Sequence, residues 1–179
     1  MIRKLFTLAY PALTPADRAL IDAFRILHDP NKVHVVDPHF TMVFGSSRVD
    51  DSAYMDYVRG IAAITPPVRF HCRYAMLGAE DGAETAYVFL VPDEGYSALS
   101  LLHDRLYSGP LVRCLRLDLM YVPHITIGTC ARRHEAKELC DTLNAQRVSI
   151  EGTIENLTVA ALANEKTENL RSFRLGISS

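Results

Sequence analysis

Two segments of this chain combine residue types that can move protons around a phosphate group. One reads Pro-His-Phe-Thr-Met over residues 38–42, and the other reads Pro-His-Ile-Thr-Ile over residues 123–127. Successive side chains of a strand point to opposite faces, so each His shares a face with the Thr about 6.6 Å away, and the apolar residues face the other way. Both segments therefore predict a strand with one packed face and one reactive face.

The repetition of this pattern exceeds what the composition of the chain predicts. With nine Pro and seven His among 179 residues, two Pro-His-x-Thr sites are expected roughly 0.0002 times by composition alone. The two sites are separated by nearly half the chain. We therefore treat His39, Thr41, His124 and Thr126 as one candidate catalytic group.

Two imidazoles and two hydroxyls facing one groove are suited to in-line displacement at phosphorus. An unperturbed imidazole has a pKa of about 6.5, so one His can take a proton from an attacking water or hydroxyl while the other protonates the leaving oxygen. The Thr hydroxyls can donate to the non-bridging phosphate oxygens and stabilise the charge that builds there. This scheme needs no metal and no cofactor.

A metal site is the competing interpretation of the first segment, because His34, Asp37 and His39 lie within six residues of each other. His34 and His39 are an odd number of positions apart, so they would point to opposite faces of a regular strand. No carboxylate accompanies His124, whereas protein metal sites gather several ligands at one point. We therefore predict no metal site.

The composition limits the class of protein and its partners. A length of 179 residues favours a single domain over residues 1–179, and 19 Lys and Arg against 21 Asp and Glu exclude a strongly basic protein that coats nucleic acid through its overall charge, but not a local basic groove. The four cysteines form no Cys-x-x-Cys pair, which is typical of free thiols in a reducing compartment. No segment has the length and apolar character of a signal peptide or a membrane span. We expect a soluble, cytoplasmic monomer with no membrane partner.

The order of the predicted elements is similar in the two halves of the chain, about 1–92 and 93–179. Each half places a helix before its motif strand, a second helix after it and two further strands at its end. The predicted segments are strand 2–10, helix 15–28, helix 51–64, strands 68–77 and 85–91, helix 93–107, strand 111–120, helix 132–145 and strands 148–162 and 170–177. This repetition predicts an α+β fold with a bilobal, pseudo-twofold duplication, in which two antiparallel-rich sheets flank a central groove and helices cover the outer faces.

The paired His-x-Thr-x segments, each preceded by Pro, resemble the signature of the two-histidine (2H) phosphoesterase superfamily. Within it the chain is most similar to the RNA 2′,3′-cyclic phosphodiesterase or 2′-5′ RNA ligase branch, and the resemblance extends over nearly the whole chain. It implies metal-independent hydrolysis of a 2′,3′-cyclic phosphate, commonly to a 2′-phosphate end, with ligase activity as the reverse reaction. It also implies that His39 and His124 are the acid-base pair and that Thr41 and Thr126 hold the phosphate. Which His is the base depends on the orientation of the bound substrate, and the resemblance favours His124 as base and His39 as acid.

The sequence leaves the substrate open among RNA ends, small cyclic nucleotides, ADP-ribose cyclic phosphate and 2′-5′ oligonucleotides. Tyr10 and Tyr121 are candidates for stacking on a base, and Arg73 and Arg132 are candidates for pairing with a phosphate. Strand Tyr residues usually pack and surface Arg residues are usually solvated, which is the alternative for all four. The balanced charge favours a small or terminal phosphate over a long RNA track.

Two functions of other classes compete with catalysis. A non-catalytic module for binding nucleotides or RNA ends would keep the fold and use the groove to hold a phosphate. Such a binder has no need for a paired acid and base, so the complete His and Thr pairs count against it. A purely structural interaction domain leaves the polar faces of both motif strands unexplained.

Overall fold

The computed structural model describes residues 3–79, 85–163 and 166–176. Within these ranges the strands are β1 (Leu5–Ala9), β2 (Pro11–Leu13), β3 (Phe40–Ser46), β4 (Val68–Ala79), β5 (Ala86–Glu94), β6 (Ile125–Cys130), β7 (Ile150–Ile154), β8 (Asn156–Ala163) and β9 (Lys166–Arg174). The helices are α1 (Pro15–His28), α2 (Asp51–Ala63), α3 (Tyr96–Leu106) and α4 (Arg133–Ala145), with a 3₁₀ helix over Gly109–Cys114. The predicted α+β class is therefore confirmed.

The described strands form one antiparallel sheet in the order β2-β7-β4-β5-β6-β3-β1-β8-β9. The two sheets predicted from the sequence are joined at its centre, where β3 pairs with β6. On one side of this pair the strands follow in the spatial order β6-β5-β4-β7, and on the other side in the order β3-β1-β8-β9. Along the chain, the succession of elements β1-α1-β3-α2 is repeated by β5-α3-β6-α4. This arrangement is compatible with the predicted duplication, although each side of the sheet takes strands from both halves of the sequence.

The helices begin where the sequence places their caps. Thr14 Oγ1 accepts a hydrogen bond of 3.1 Å from the Asp17 amide at the start of α1, and Pro15 occupies the first helical position, where its missing donor costs nothing. Asp50 caps α2 in the same way. Helix α1 packs against β6, whereas α3 packs against β3, so the first helix of each predicted half contacts the motif strand of the other half.

The chain between the 3₁₀ helix and the second motif differs from its prediction. Leucines alternate with polar residues at 115, 117 and 119, which predicts a strand over 111–120, but this segment contains the 3₁₀ helix followed by turns. Leu117 is 88% exposed and Met120 is 91% exposed, so the alternation has no sheet to pack against. The predicted strand is wrong because a strand needs a neighbour as well as a pattern.

Smaller differences concern the ends of elements. The predicted strand 148–162 divides at Glu155 into β7 and β8, and the short strand β2 was not predicted. The strands 68–77 and 85–91 predict a hairpin with a loop over 78–84; Gly78 and Ala79 instead belong to β4, and residues 80–84 lie outside the described residues, as do the predicted strand ends at Ile2 and Ile177. Among the residues described, no helix combines the length and apolar character required to cross a bilayer.

Candidate active site

The two predicted motif strands lie side by side at the centre of the sheet. Phe40 on β3 is paired with Ile125 on β6, and both side chains are fully buried. Each His immediately precedes its strand, and each Thr follows one residue after the buried partner. The alternation of strand side chains therefore sends His39, Thr41, His124 and Thr126 to the face opposite the core.

Both imidazoles are oriented by the backbone two residues before them. His39 Nδ1 lies 2.7 Å from the Asp37 carbonyl oxygen, and His124 Nδ1 lies 2.6 Å from the Val122 carbonyl oxygen. Because a carbonyl oxygen can only accept, Nδ1 carries the proton in both rings. In the neutral state Nε2 of each ring consequently holds the lone pair, and this is the nitrogen available to a substrate.

The surroundings favour the neutral form of both histidines. Burial lowers the pKa of His39 to about 4, opposed by the bond to the Asp37 carbonyl and reinforced by the charges of Arg25 and His124. Burial also lowers the pKa of His124, and its bond to the Val122 carbonyl opposes this change. A bound phosphate anion would favour the protonated form instead.

Each imidazole is in contact with an aromatic ring. Phe89 on β5 stacks on His124 with ring centres 3.7 Å apart, and the edge of Tyr10 packs against His39 with ring centres 6.1 Å apart. Gly78 on the neighbouring strand makes room for Phe89, because a Cβ there would lie 2.0 Å from the ring. These contacts restrict the rotation of both catalytic candidates.

A cleft of about 430 Å³ opens over this face of the sheet and is lined by His39, Thr41 and Thr126. His124 is not among the lining residues, but it lies two positions from Thr126 on the reactive face, and its charge acts on His39. The structure thus brings three of the four motif residues into one cleft and the fourth beside it.

A buried ion pair at the C-terminal end of α1, between Arg25 and the C-cap residue Asp29, forms part of the cleft wall. Arg25 and Asp29, one helical turn apart, are 2% and 3% exposed, with Arg25 Nε 3.9 Å from Asp29 Oδ2. The guanidinium donates to the carbonyl oxygens of Lys32 and Val36 at 3.2 and 2.8 Å, and Asp29 accepts a bond of 2.9 Å from the Thr129 hydroxyl on β6. The pair therefore links the segment leading to His39 with the strand that carries Thr126.

The four residues predicted to contact the base or the phosphate of the substrate lie in different surroundings. Tyr10 packs on His39 and donates to Asn169 at 2.8 Å, which places it beside the site. Tyr121 is stacked on His103 with ring centres 3.5 Å apart. Arg73 is paired with Asp93 and Glu94, and Arg132 is paired with Glu135. None of these four residues is among those that line the cleft, although Tyr10 contacts the catalytic candidate His39.

The cleft also contains residues that sequence reasoning missed. Phe6 and Phe44 line it from β1 and β3, together with the pair Arg25 and Asp29. For Arg25 a signal existed, because Ile21, Arg25 and Asp29 follow each other at intervals of four and share one helix face. Ile21 and Arg25 are the two buried residues of α1. A charged pair on an otherwise buried stripe is the feature that could have identified this wall.

Among the residues that the structure describes, no group of three or more His, Cys, Asp or Glu side chains is placed to hold a metal ion. In particular His34 is exposed, whereas His39 is turned toward the cleft.

The comparison with protein families identifies the class of this fold and site. The model of the 2′-5′ RNA ligase superfamily matches residues 11–166, which include both motifs. The chain belongs to this superfamily, and the predicted membership among the 2H phosphoesterases is confirmed. No curated protein sequence matches the chain significantly.

Several solved structures share the fold at low sequence identity. The chain is similar to Escherichia coli LigT complexed with 3′-AMP, with 19% identity, a TM-score of 0.55 and coverage of 98% of this chain and 99% of LigT. It is similar to TT0787 of Thermus thermophilus, with 16% identity, a TM-score of 0.63 and coverage of 98% and 100%. Kluyveromyces marxianus Usb1 gives 10% identity, a TM-score of 0.58 and coverage of 96% and 98%.

Proposed function

We propose that this 2H phosphoesterase hydrolyses 2′,3′-cyclic phosphates without a metal ion. The observation that carries the proposal is the matched orientation of His39 and His124, each with Nδ1 bonded to the carbonyl two residues earlier. Two Nε2 atoms, together with the hydroxyls of Thr41 and Thr126 on the same face of the two strands, supply an acid, a base and two hydroxyl donors.

In the proposed reaction, His124 Nε2 takes a proton from water while the water oxygen bonds to phosphorus. The bond from phosphorus to the ribose 3′ oxygen breaks on the opposite side, and protonated His39 gives its Nε2 proton to that oxygen. The products are a 2′-phosphate and a free 3′ hydroxyl. The next turnover requires only that His124 loses its proton and His39 gains one, so no other reactant is consumed. If the 5′ hydroxyl of a second RNA end replaced water as the attacking group, the same proton transfers would break the bond to the 3′ oxygen and form a 2′-5′ phosphodiester, which is the 2′-5′ ligase activity.

The acid must be protonated although burial favours its neutral form. The phosphodiester anion itself supplies the missing stabilisation, because a negative charge next to Nε2 raises the pKa of an imidazole. Thr41 and Thr126 would donate to the non-bridging oxygens, where negative charge increases in the transition state. The complexes of LigT with 3′-AMP and with ATP support a nucleotide phosphate as the ligand of this chain as well.

The direct test is turnover of the four 2′,3′-cyclic mononucleotides in excess EDTA, with the products separated as 2′- and 3′-phosphates. Accumulation of 2′-phosphates at an unchanged rate in EDTA is the expected result. Tight binding of the cyclic nucleotides without turnover by folded protein would contradict hydrolysis and favour the non-catalytic binding module.

A further inference from the structure

The cleft that contains His39 is largely apolar away from the motif residues. Phe6 on β1, Phe44 on β3 and Leu162 on β8 line one part of it, and Val35 and Val36 contribute from the turn after α1. At about 430 Å³ it lies toward the small end of the range for ligand pockets, about 300 to 1,000 Å³. Such a surface is suited to an uncharged, partly planar group.

Phe6 reaches this wall because Gly45 on the paired strand has no side chain. A Cβ at position 45 would lie 2.4 Å from Phe6 Cζ and 2.7 Å from its Cε1. The ring therefore occupies the space that any other residue at 45 would fill. Gly45 therefore allows the Phe6 ring to occupy the position from which it lines the cleft.

The charges of the described cleft residues cancel, because Arg25 and Lys32 are balanced by Asp29 and Asp37. Arg25 and Asp29 are buried and bonded to protein groups, and Asp37 is paired with Arg18 at 2.7 Å. Lys32 is exposed at the cleft. A protein that binds several successive phosphates needs a series of placed cations, and these lining residues do not provide one.

From these observations, and resting on the proposed function, we propose that the cleft takes a single nucleotide with its cyclic phosphate. Its phosphate lies at His39, Thr41 and Thr126, and its nucleoside lies against the wall of Phe6, Phe44 and Leu162. Further nucleotides of an RNA chain then extend beyond the cleft and add no binding free energy. The substrate is thus a mononucleotide or the terminal nucleotide of any RNA, and its binding does not depend on the length of the RNA.

The test compares a 2′,3′-cyclic mononucleotide with a dinucleotide, a tetranucleotide and an octanucleotide that end in the same cyclic phosphate. We expect kcat/KM to be equal within about threefold across the series, since added residues contribute no transition-state binding. We also expect the salt dependence to be the same for all four substrates. A protein with an RNA track would instead show a slope of log kcat/KM against log salt that steepens by about 0.7 for each further phosphate bound.

A rise of tenfold or more in kcat/KM with increasing chain length corresponds to the binding free energy of about one added contact. Such a rise would overturn the inference and leave hydrolysis established. If no substrate is turned over, the proposed function fails, and the inference is then decided by binding. Dissociation constants of a mononucleotide 3′-phosphate and of oligonucleotides with the same end, measured by calorimetry, are expected to be equal. Tighter binding with increasing length would overturn the inference in that case also.

Two glycine variants, one a test and the other its control, examine whether the apolar wall of the cleft binds the nucleoside. Gly45→Ala must displace the Phe6 ring, whereas Gly60→Ala on α2 adds a methyl group with no atom within 4 Å. We expect Gly45→Ala to raise KM or the dissociation constant for the mononucleotide by about tenfold with little change in kcat, and Gly60→Ala to leave both unchanged. Phe6→Leu, which removes the ring without adding bulk to β3, should raise KM in the same direction. Unchanged KM in Phe6→Leu, whether or not Gly45→Ala folds, would contradict a nucleoside site at this wall.

Discussion

Phe40 on β3 lies directly opposite Ile125 on β6, and this pair joins the two sides of the sheet that the described strands form. Extending this antiparallel register by one residue in each direction sets position 39 against position 126 and position 41 against position 124. The His position of each motif is thus opposed to the Thr position of the other. A phosphate group bound between the strands would therefore contact residues of both motifs at once, and neither motif alone would supply both an acid and a base.

This crossed arrangement predicts that the two threonines have similar effects. Replacing Thr41 or Thr126 with Val keeps the shape and removes one hydroxyl donor, and we expect kcat/KM for a cyclic mononucleotide to fall about 10²-fold in each variant. Thr142→Val on the exposed face of α4 is the matched control, and its activity should not change. Steady-state kinetics of the three proteins measure this directly. If one Thr variant lost activity and the other retained it fully, the shared role would be wrong.

The lowered pKa values of both histidines predict an unusual dependence of activity on pH. Burial lowers both below the usual 6.5, so above this pH the free protein lacks the protonated acid. We expect kcat/KM to fall about tenfold per pH unit as pH rises above 6.5, because it reports the free protein. The profile of kcat should lie at higher pH, since bound phosphate raises the pKa of the acid. A kcat/KM that increased from pH 6 to pH 8 would contradict this account.

The lowered pKa of His39 also predicts that this residue makes the free energy of unfolding decrease at acidic pH. Its pKa is about 4 in the folded protein and about 6.5 in the unfolded chain, so the unfolded state binds the proton more tightly between these values. The free energy of unfolding should therefore decrease as pH falls from 6.5 to 4, by about 3 kcal/mol from this residue. His39→Gln cannot titrate, so its urea-derived stability should lose less over this range than that of the wild type. Parallel curves for the two proteins would exclude the buried neutral imidazole.

The ion pair on α1 predicts a strong coupling between Arg25 and Asp29. Arg25→Met leaves the buried carboxylate without its charge partner, and we expect it to reduce the free energy of unfolding by about 3 to 5 kcal/mol. Adding Asp29→Asn to Arg25→Met should restore part of this loss, as a double-mutant cycle in urea would measure. The matched control is Arg59→Met, which breaks an exposed pair with Asp56 and should cost less than about 1 kcal/mol. Additive effects of the two α1 substitutions would show that the pair is not coupled.

Much of the local structure follows from short-range signals in the sequence. Thr14 and Pro15 determine where α1 begins, and the alternation around His39 and His124 places each His with its Thr on one face. These features depend on neighbours within a few residues, so a single sequence is sufficient to predict them. The duplicated motif also made the membership of the superfamily recognisable.

The pairing of β3 with β6 could not be derived in the same way. It joins residues from distant parts of the chain, and no local pattern states which strand is the neighbour of which. The alternating leucines at 115, 117 and 119 illustrate the reverse error, because a pattern typical of strands occurs where no strand forms. The position of Phe6 over Gly45 likewise depends on two strands that are adjacent only in the folded protein.

The most direct test of the central claim is hydrolysis of 2′,3′-cyclic AMP in excess EDTA by the wild type, His39→Ala and His124→Ala. The control is His134→Ala, which removes an exposed imidazole on α4. We expect full activity in the control and the wild type, and a loss of about 10² to 10⁴-fold in each of the other two variants. A double variant should lose little more than either single one, because the two histidines act as a unit. Activity that EDTA abolishes, or that survives in His39→Ala or His124→Ala shown to be folded, would contradict the two-histidine mechanism.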